Sequence, residues 1–150
     1  MQLSGKRVFN AELSTIWNLL MNPETLTRII PGMISLEKTA ENSFKSILGV
    51  KLGPVNSTFD GTIQLEDIHE HSHFTMNVRQ NSKIGNGNAL VKIQLRSLNE
   101  TQSELQFDGE VKLTGLLASM GQRVLGGVAN TLAKDFFSNM EKELQPQSAS

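Results

Sequence analysis

His69, His71 and His73 are the chain's only histidines, and they form the run His-Glu-His-Ser-His. Alternate residues of a straight strand share a face, so imidazoles at this spacing could converge on zinc or nickel. However, Leu65 to Phe74 spans the end of one alternating stretch and the start of the next, and a hairpin turn there would destroy the common face. A solvated loop without a metal site is expected. Tight, stoichiometric metal uptake lost in His71→Ala would overturn that expectation. There is no cysteine, which removes disulfides, thiolate nucleophiles and sulfur-ligated zinc. There is also no tyrosine. The inward phase of the strands offers Ser46, Ser57, Ser97 and glycines, whereas Lys45, Lys51, Asp60, Arg79, Lys92, Arg96, Asp108 and Lys112 fall mostly on the opposite phase. Catalysis needs titratable groups facing a pocket, so no catalytic residue and no cofactor is assigned.

The elements that must position these residues follow from hydrophobic period. A short strand over residues 2–9 is followed by a helical stretch, Ala11 to Met21, with Leu13, Ile16, Trp17 and Leu20 on one face. Asn22-Pro23-Glu24 reads as a second helix start, with a capping side chain, a first-turn proline and an acid near the positive end. Leu26, Ile29 and Ile30 are its apolar side, and Pro31-Gly32 stops it. From Ile34 to Thr114 the period is two: Val55 to Leu65, then Phe74, Met76 and Val78, then Ala89, Val91, Ile93 and Leu95, then Leu105, Phe107, Val111 and Leu113. Such alternation marks antiparallel strands with one buried and one wetted face; about six are expected here besides the first. Residues 116–144 return to helical spacing. Leu117, Met120, Val124 and Val128 share one face, while Ala129, Leu132, Ala133, Phe136 and Met140 lie on another, with Gly126-Gly127 at the junction, where a kink or a change in what the helix packs against is expected.

The chain's 150 residues suit one domain over 1–144 with a disordered polar tail over 145–150. Its 14 basic and 15 acidic residues give a net charge of −1, with no electrostatic footprint for nucleic acid. No secretory signal or transmembrane run is present, and cytoplasmic residence is the default expectation. A sheet of six or seven strands at about 4.8 Å spacing is much wider than one helix of about 10–12 Å, so it must curl around the C-terminal helix and leave space between. Gly121, Gly126 and Gly127 on that helix, and Gly61 and Gly109 on strands, read two ways: they hold a cavity open, or they permit close packing or a bend. Trp17 reads as a core residue or a ligand-stacking residue near the mouth. Of the adjacent Phe136 and Phe137, one can be buried while the other is partly exposed.

These residues resemble a known family, the carbon monoxide dehydrogenase G-subunit-like proteins of the START and birch-pollen-allergen-like (SRPBCC) superfamily. The resemblance runs from about Gly5 to Phe137. It is carried by Ile16-Trp17 with Leu20, Asn22-Pro23-Glu24-Thr25-Leu26, Ile30-Pro31-Gly32, Leu52-Gly53-Pro54-Val55, Phe59-Asp60-Gly61, Gly87-Asn88-Ala89 and Leu117-Ala118-Ser119-Met120-Gly121-Gln122-Arg123. It implies an α+β helix-grip fold: a curved antiparallel sheet of about seven strands around a long C-terminal helix, with two short helices after the first strand and an apolar tunnel between sheet and long helix. It also implies a redox-enzyme partner, a molybdenum-containing carbon monoxide dehydrogenase, with peripheral contact at the membrane. Some members carry a C-terminal extension with an anchor; this chain stops six residues after Leu144, and stable anchoring is not expected.

The function expected is non-catalytic binding of a hydrophobic small molecule of the lipid, fatty acid or quinone class. Its ligand-binding residues would be Phe59, Ile63, Met76, Val78, Val91, Ile93, Phe107 and Val111 from the sheet, with Leu117, Met120, Val124 and Val128 from the helix. The alternatives are a protein-interaction adaptor with a side-chain-filled core, or a cyclase- or hydrolase-like enzyme.

Overall fold

A computed structural model describes residues 1–145; positions 146–150, most of the expected disordered tail, lie outside the described residues. The order is β1 (Gln2–Phe9), α1 (Leu13–Met21), α2 (Pro23–Ile29), β2 (Met33–Ala40), β3 (Ser43–Leu52), β4 (Val55–His69), β5 (His73–Ser82), β6 (Gly85–Asn99), β7 (Gln102–Leu113), α3 (Gly115–Ser119) and α4 (Gln122–Leu144). The seven strands form one antiparallel sheet in the order β1-β7-β6-β5-β4-β3-β2. Every strand neighbour is therefore a hairpin partner except β1, which closes on β7 with Gln2 opposite Glu110 and Phe9 opposite Ser103.

The local signals are realised where the sequence places them. The Asn22 side chain accepts a hydrogen bond from the Glu24 amide at 3.0 Å, and Pro23 opens α2. Ile16, Trp17 and Leu20 are buried on α1, and Thr25, Leu26 and Ile29 on α2. Strand alternation is clearest on β4, where Val55, Phe59, Ile63 and Leu65 are buried and Asn56, Thr58, Asp60 and Gln64 are exposed.

The C-terminal helical segment departs from expectation in one respect. The break falls at Gly121, whose φ of +86° is a conformation that side chains disfavour, and it separates the five-residue α3 from the 23-residue α4. Helix α4 runs through Gly126-Gly127 without interruption. The stripe extrapolated from Leu117 is interrupted there: Val124 is exposed, and Val128 returns to the cluster that contains Leu117.

Two apolar clusters hold the sheet. The larger joins Phe9, Ile16, Trp17, Leu20, Leu26, Ile29, Phe74, Leu105, Phe137 and Met140, bringing α1, α2 and the end of α4 onto the sheet. The smaller joins Val50, Val55, Phe59 and Leu117, under α3. Trp17 is a core residue, meeting Phe74 edge-on at 5.8 Å between ring centroids. The end of α4 is further tied by Arg7 to Glu141 at 2.6 Å, by Arg28 to Glu143, and by the Asn139 amide donating to the Ile29 carbonyl at 3.0 Å. The hydrogen bond and charge of Glu143 raise the Arg28 pKa. Among the described residues no helix is long and apolar enough to cross a membrane.

Candidate functional site

On α4 only Phe137 and Met140 are fully buried. The inward residues ahead of them, Leu125, Ala129, Leu132, Ala133 and Phe136, are half-buried because they face a cavity of about 780 Å³ between helix and sheet. Sites that enclose small molecules are typically about 300–1,000 Å³. Its wall draws on both apolar clusters and on every strand, from Leu3 on β1 to Met33 on β2. Exposed Gln2, Gln122 and Asn130 belong to the same wall, so the cavity reaches the surface beside β1 and the front of α4. Among the described residues the wall contains no ionisable side chain.

Of the expected ligand-binding residues, Phe59, Ile63, Met76, Val78, Val91, Ile93, Phe107, Val111, Leu117 and Val128 line this cavity. Met120 and Val124 do not. Met120 caps α3 and packs against the smaller cluster, while Val124 is 38% exposed. Val124 lies beyond the Gly121 break, where the helix restarts, whereas Met120 precedes it. Besides Val128 and Leu125, the apolar α4 side chains that face the cavity, Ala129, Leu132, Ala133 and Phe136, belong to the stripe that helical spacing turns away from Leu117. Phe136 lines the cavity, whereas the adjacent Phe137 is buried against Phe9 and Phe107.

The glycines divide between the two readings. A β carbon at Gly126 or Gly127 would meet nothing within 4 Å, so these glycines stand over open space and not against the sheet. A β carbon at Gly61 would overlap the Arg79 carbonyl oxygen, and one at Gly109 would lie 3.0 Å from Val91 Cγ2 and 3.2 Å from the Leu90 carbonyl oxygen. Strand glycines therefore serve close strand approach, whereas on α4 Gly126 borders the cavity and Gly127 is exposed. Since interior helix glycine is disfavoured relative to alanine by about 1 kcal/mol, the double substitution Gly126→Ala/Gly127→Ala is expected to stabilise the protein by about 1–2 kcal/mol. Urea denaturation measures this, and a lower midpoint would mean that the glycines are needed for packing.

The inward serines separate likewise. Ser46 is fully buried, but Ser57 is only half-buried and Ser97 is exposed near the end of β6. Gln80 is a buried polar residue absent from the expected set; it is 7% exposed and part of the cavity wall. Its Nε2 donates to Ser46 Oγ at 2.8 Å. Extending the alternation Phe74, Met76, Val78 by one more step along β5 would have found it.

The histidines lie where strand β4 turns into β5. His69 is paired with His73 in register, their rings stacked at 4.3 Å, and Asp67 Oδ1 lies 3.0 Å from His69 Nε2. The turn carries His71 away, at φ +63°, edge-on to Trp17 at 6.0 Å. The three imidazoles therefore do not share a face. Asp67, His69 and His73 each offer one ligand atom within 4.8 Å of the others, with Asp67 and His69 exposed. His73, and not His71, is the histidine whose substitution would report on metal at this hairpin. A second hollow, about 410 Å³, lies beside it on the outer sheet face among Lys6, Arg96, Glu104 and other polar residues.

The family model described as the G subunit of carbon monoxide dehydrogenase (CoxG) matches residues 5–145. A solved structure of a conserved protein from Geobacillus kaustophilus is 30% identical, with a TM-score of 0.92 over 96% of this chain and 95% of that one. A START superfamily protein from Mycobacterium smegmatis superposes with a TM-score of 0.75 at 11% identity, over 96% of this chain and 99% of that one. The ZhuI aromatase/cyclase from Streptomyces sp. R1128 does so with a TM-score of 0.70 at 11% identity, over 100% and 99%. These last two show the shared fold, a curved sheet gripping a long C-terminal helix. No curated protein matches the sequence.

Proposed function

The chain belongs to the CoxG family, the carbon monoxide dehydrogenase G subunits, and we propose that it binds a hydrophobic small molecule of the lipid, fatty acid or quinone class without transforming it. The observation that carries this reading is the cavity of about 780 Å³ under the front half of α4, with an apolar wall free of ionisable side chains among the described residues. Burying an apolar chain there removes its surface from water at about 25 cal/mol per Å², and a wall without ionisable side chains requires no compensating charge on the ligand. In this reading the protein is an accessory or recruitment factor for a carbon monoxide dehydrogenase-like redox enzyme, making peripheral contact with the membrane from which such ligands come.

The likeness to an aromatase/cyclase invites an enzymatic reading. That reading requires an acid or base in the wall, and the buried polar side chain there, Gln80, is an amide that neither gives nor takes a proton near neutral pH. Native mass spectrometry of the full chain, followed by organic extraction, tests the proposal. The expected result is a bound mass that is released as an acyl chain or isoprenoid. A clean apo mass, unchanged after incubation with fatty acids or quinones, would instead favour an adaptor working through its outer surface.

A further inference from the structure

Gln80 Oε1 is buried and has no hydrogen-bond partner. Buried carbonyl oxygens without partners are rare, because desolvation is then uncompensated. The amide is not free to turn to solvent. Residues Ser46, Gly61 and Gln80 occupy one row across β3, β4 and β5, with Ser46 opposite Gly61 and Gly61 opposite Gln80. Because the central residue has no side chain, the Gln80 amide reaches across it and donates Nε2 to Ser46 Oγ. That bond holds the amide at the cavity wall with its acceptor unused.

We propose that Gln80 is the polar anchor of the cavity and that its Oε1 accepts a hydrogen bond from a neutral hydroxyl on the ligand's head. The inference rests on the ligand-binding reading above and narrows it to hydroxyl-bearing lipids such as long-chain alcohols. An ionised carboxylate is disfavoured at this position, since it would place negative charge against a carbonyl oxygen; the described wall has no cationic side chain, and the Met1 α-ammonium in it already donates to the Val111 carbonyl oxygen at 2.8 Å. An ether or a plain hydrocarbon leaves Oε1 unpaired.

The test compares 1-dodecanol with dodecyl methyl ether, each displacing a fluorescent apolar probe from the delipidated full chain. The native protein is expected to bind the alcohol about five- to tenfold more tightly, as one satisfied buried acceptor implies. In Gln80→Leu that ratio is expected to fall to about one. Equal binding of both compounds by the native protein, or preference for the ether, overturns the anchor while leaving ligand binding intact. An ether preference would mean that the amide presents Nε2 instead. Displacement by neither compound, with the probe itself unbound, overturns the ligand-binding reading on which the anchor rests. If Gln80→Leu folds poorly, the native ratio still decides, and Gln80→Met repeats the comparison with a more flexible side chain.

Discussion

Gly61→Ala is expected to destabilise the protein by about 3 kcal/mol or more, at the upper end of what overpacking costs. The added β carbon would overlap the Arg79 carbonyl oxygen and lie 2.8 Å from the Arg79 carbonyl carbon and 2.9 Å from Gln80 Cα. All three are backbone atoms of the neighbouring strand, so no rotamer change relieves the contact. Relief requires β4 and β5 to separate, and the ladder there pairs Asp60 with Asn81 and Thr62 with Arg79 on either side. Against a total stability of about 5–15 kcal/mol for a domain, such a loss would populate unfolded chains at physiological temperature. Urea unfolding monitored through Trp17 measures it. A stability within about 0.5 kcal/mol of the parent's, the usual range of innocuous substitutions, would show that the strands can part at little cost. The same replacement at Gly126 meets nothing, so the two glycines are expected to respond with opposite signs.

Val91→Trp is expected to reduce apolar-ligand uptake by about tenfold or more while changing stability by about 1 kcal/mol or less, the low end for an enlarged core residue. Val91 lies on β6 between Met76 of β5 and Gly109 of β7 in the register, and it lines the cavity. Its neighbour Gly109 has no side chain, and Val91 is only half-buried. An indole can therefore extend into existing space without displacing packed atoms, which avoids the usual cost of overpacking. The volume it occupies is then lost to the ligand. Probe titration with a parallel thermal melt distinguishes the outcomes. Undiminished uptake by a folded variant would place binding outside this cavity, and a collapsed melting transition would mean that the cavity floor is less open than its 780 Å³ implies.

Features that depend on near neighbours along the chain are legible in the residues alone. Period-two alternation from Val55 to Leu65 sets which face of β4 is buried, because successive side chains of a strand point to opposite sides. The Asn22-Pro23-Glu24 start and the Pro31-Gly32 stop delimit α2, since capping and backbone restriction act within a few residues. Those same signals fix most of the sheet's share of the cavity wall, from Phe59 to Val111. The inward face of α4 is not legible in this way, because its phase is not a property of its own sequence. A positive-φ residue at Gly121 restarts the helix, and packing of Phe137 and Met140 on the sheet then chooses the inward side, which moves Val124 off the wall and puts Leu125 and Leu132 on it. The hairpin that pairs His69 with His73 and turns His71 toward Trp17 is likewise settled by register. So is the polar anchor. Ser46 and Gln80 are 34 positions apart in sequence and two strands apart in the sheet; they meet because two independent strand registers place a glycine between them. Periodicity reports the side to which a residue points, and what it meets there depends on how distant strands and helices pack.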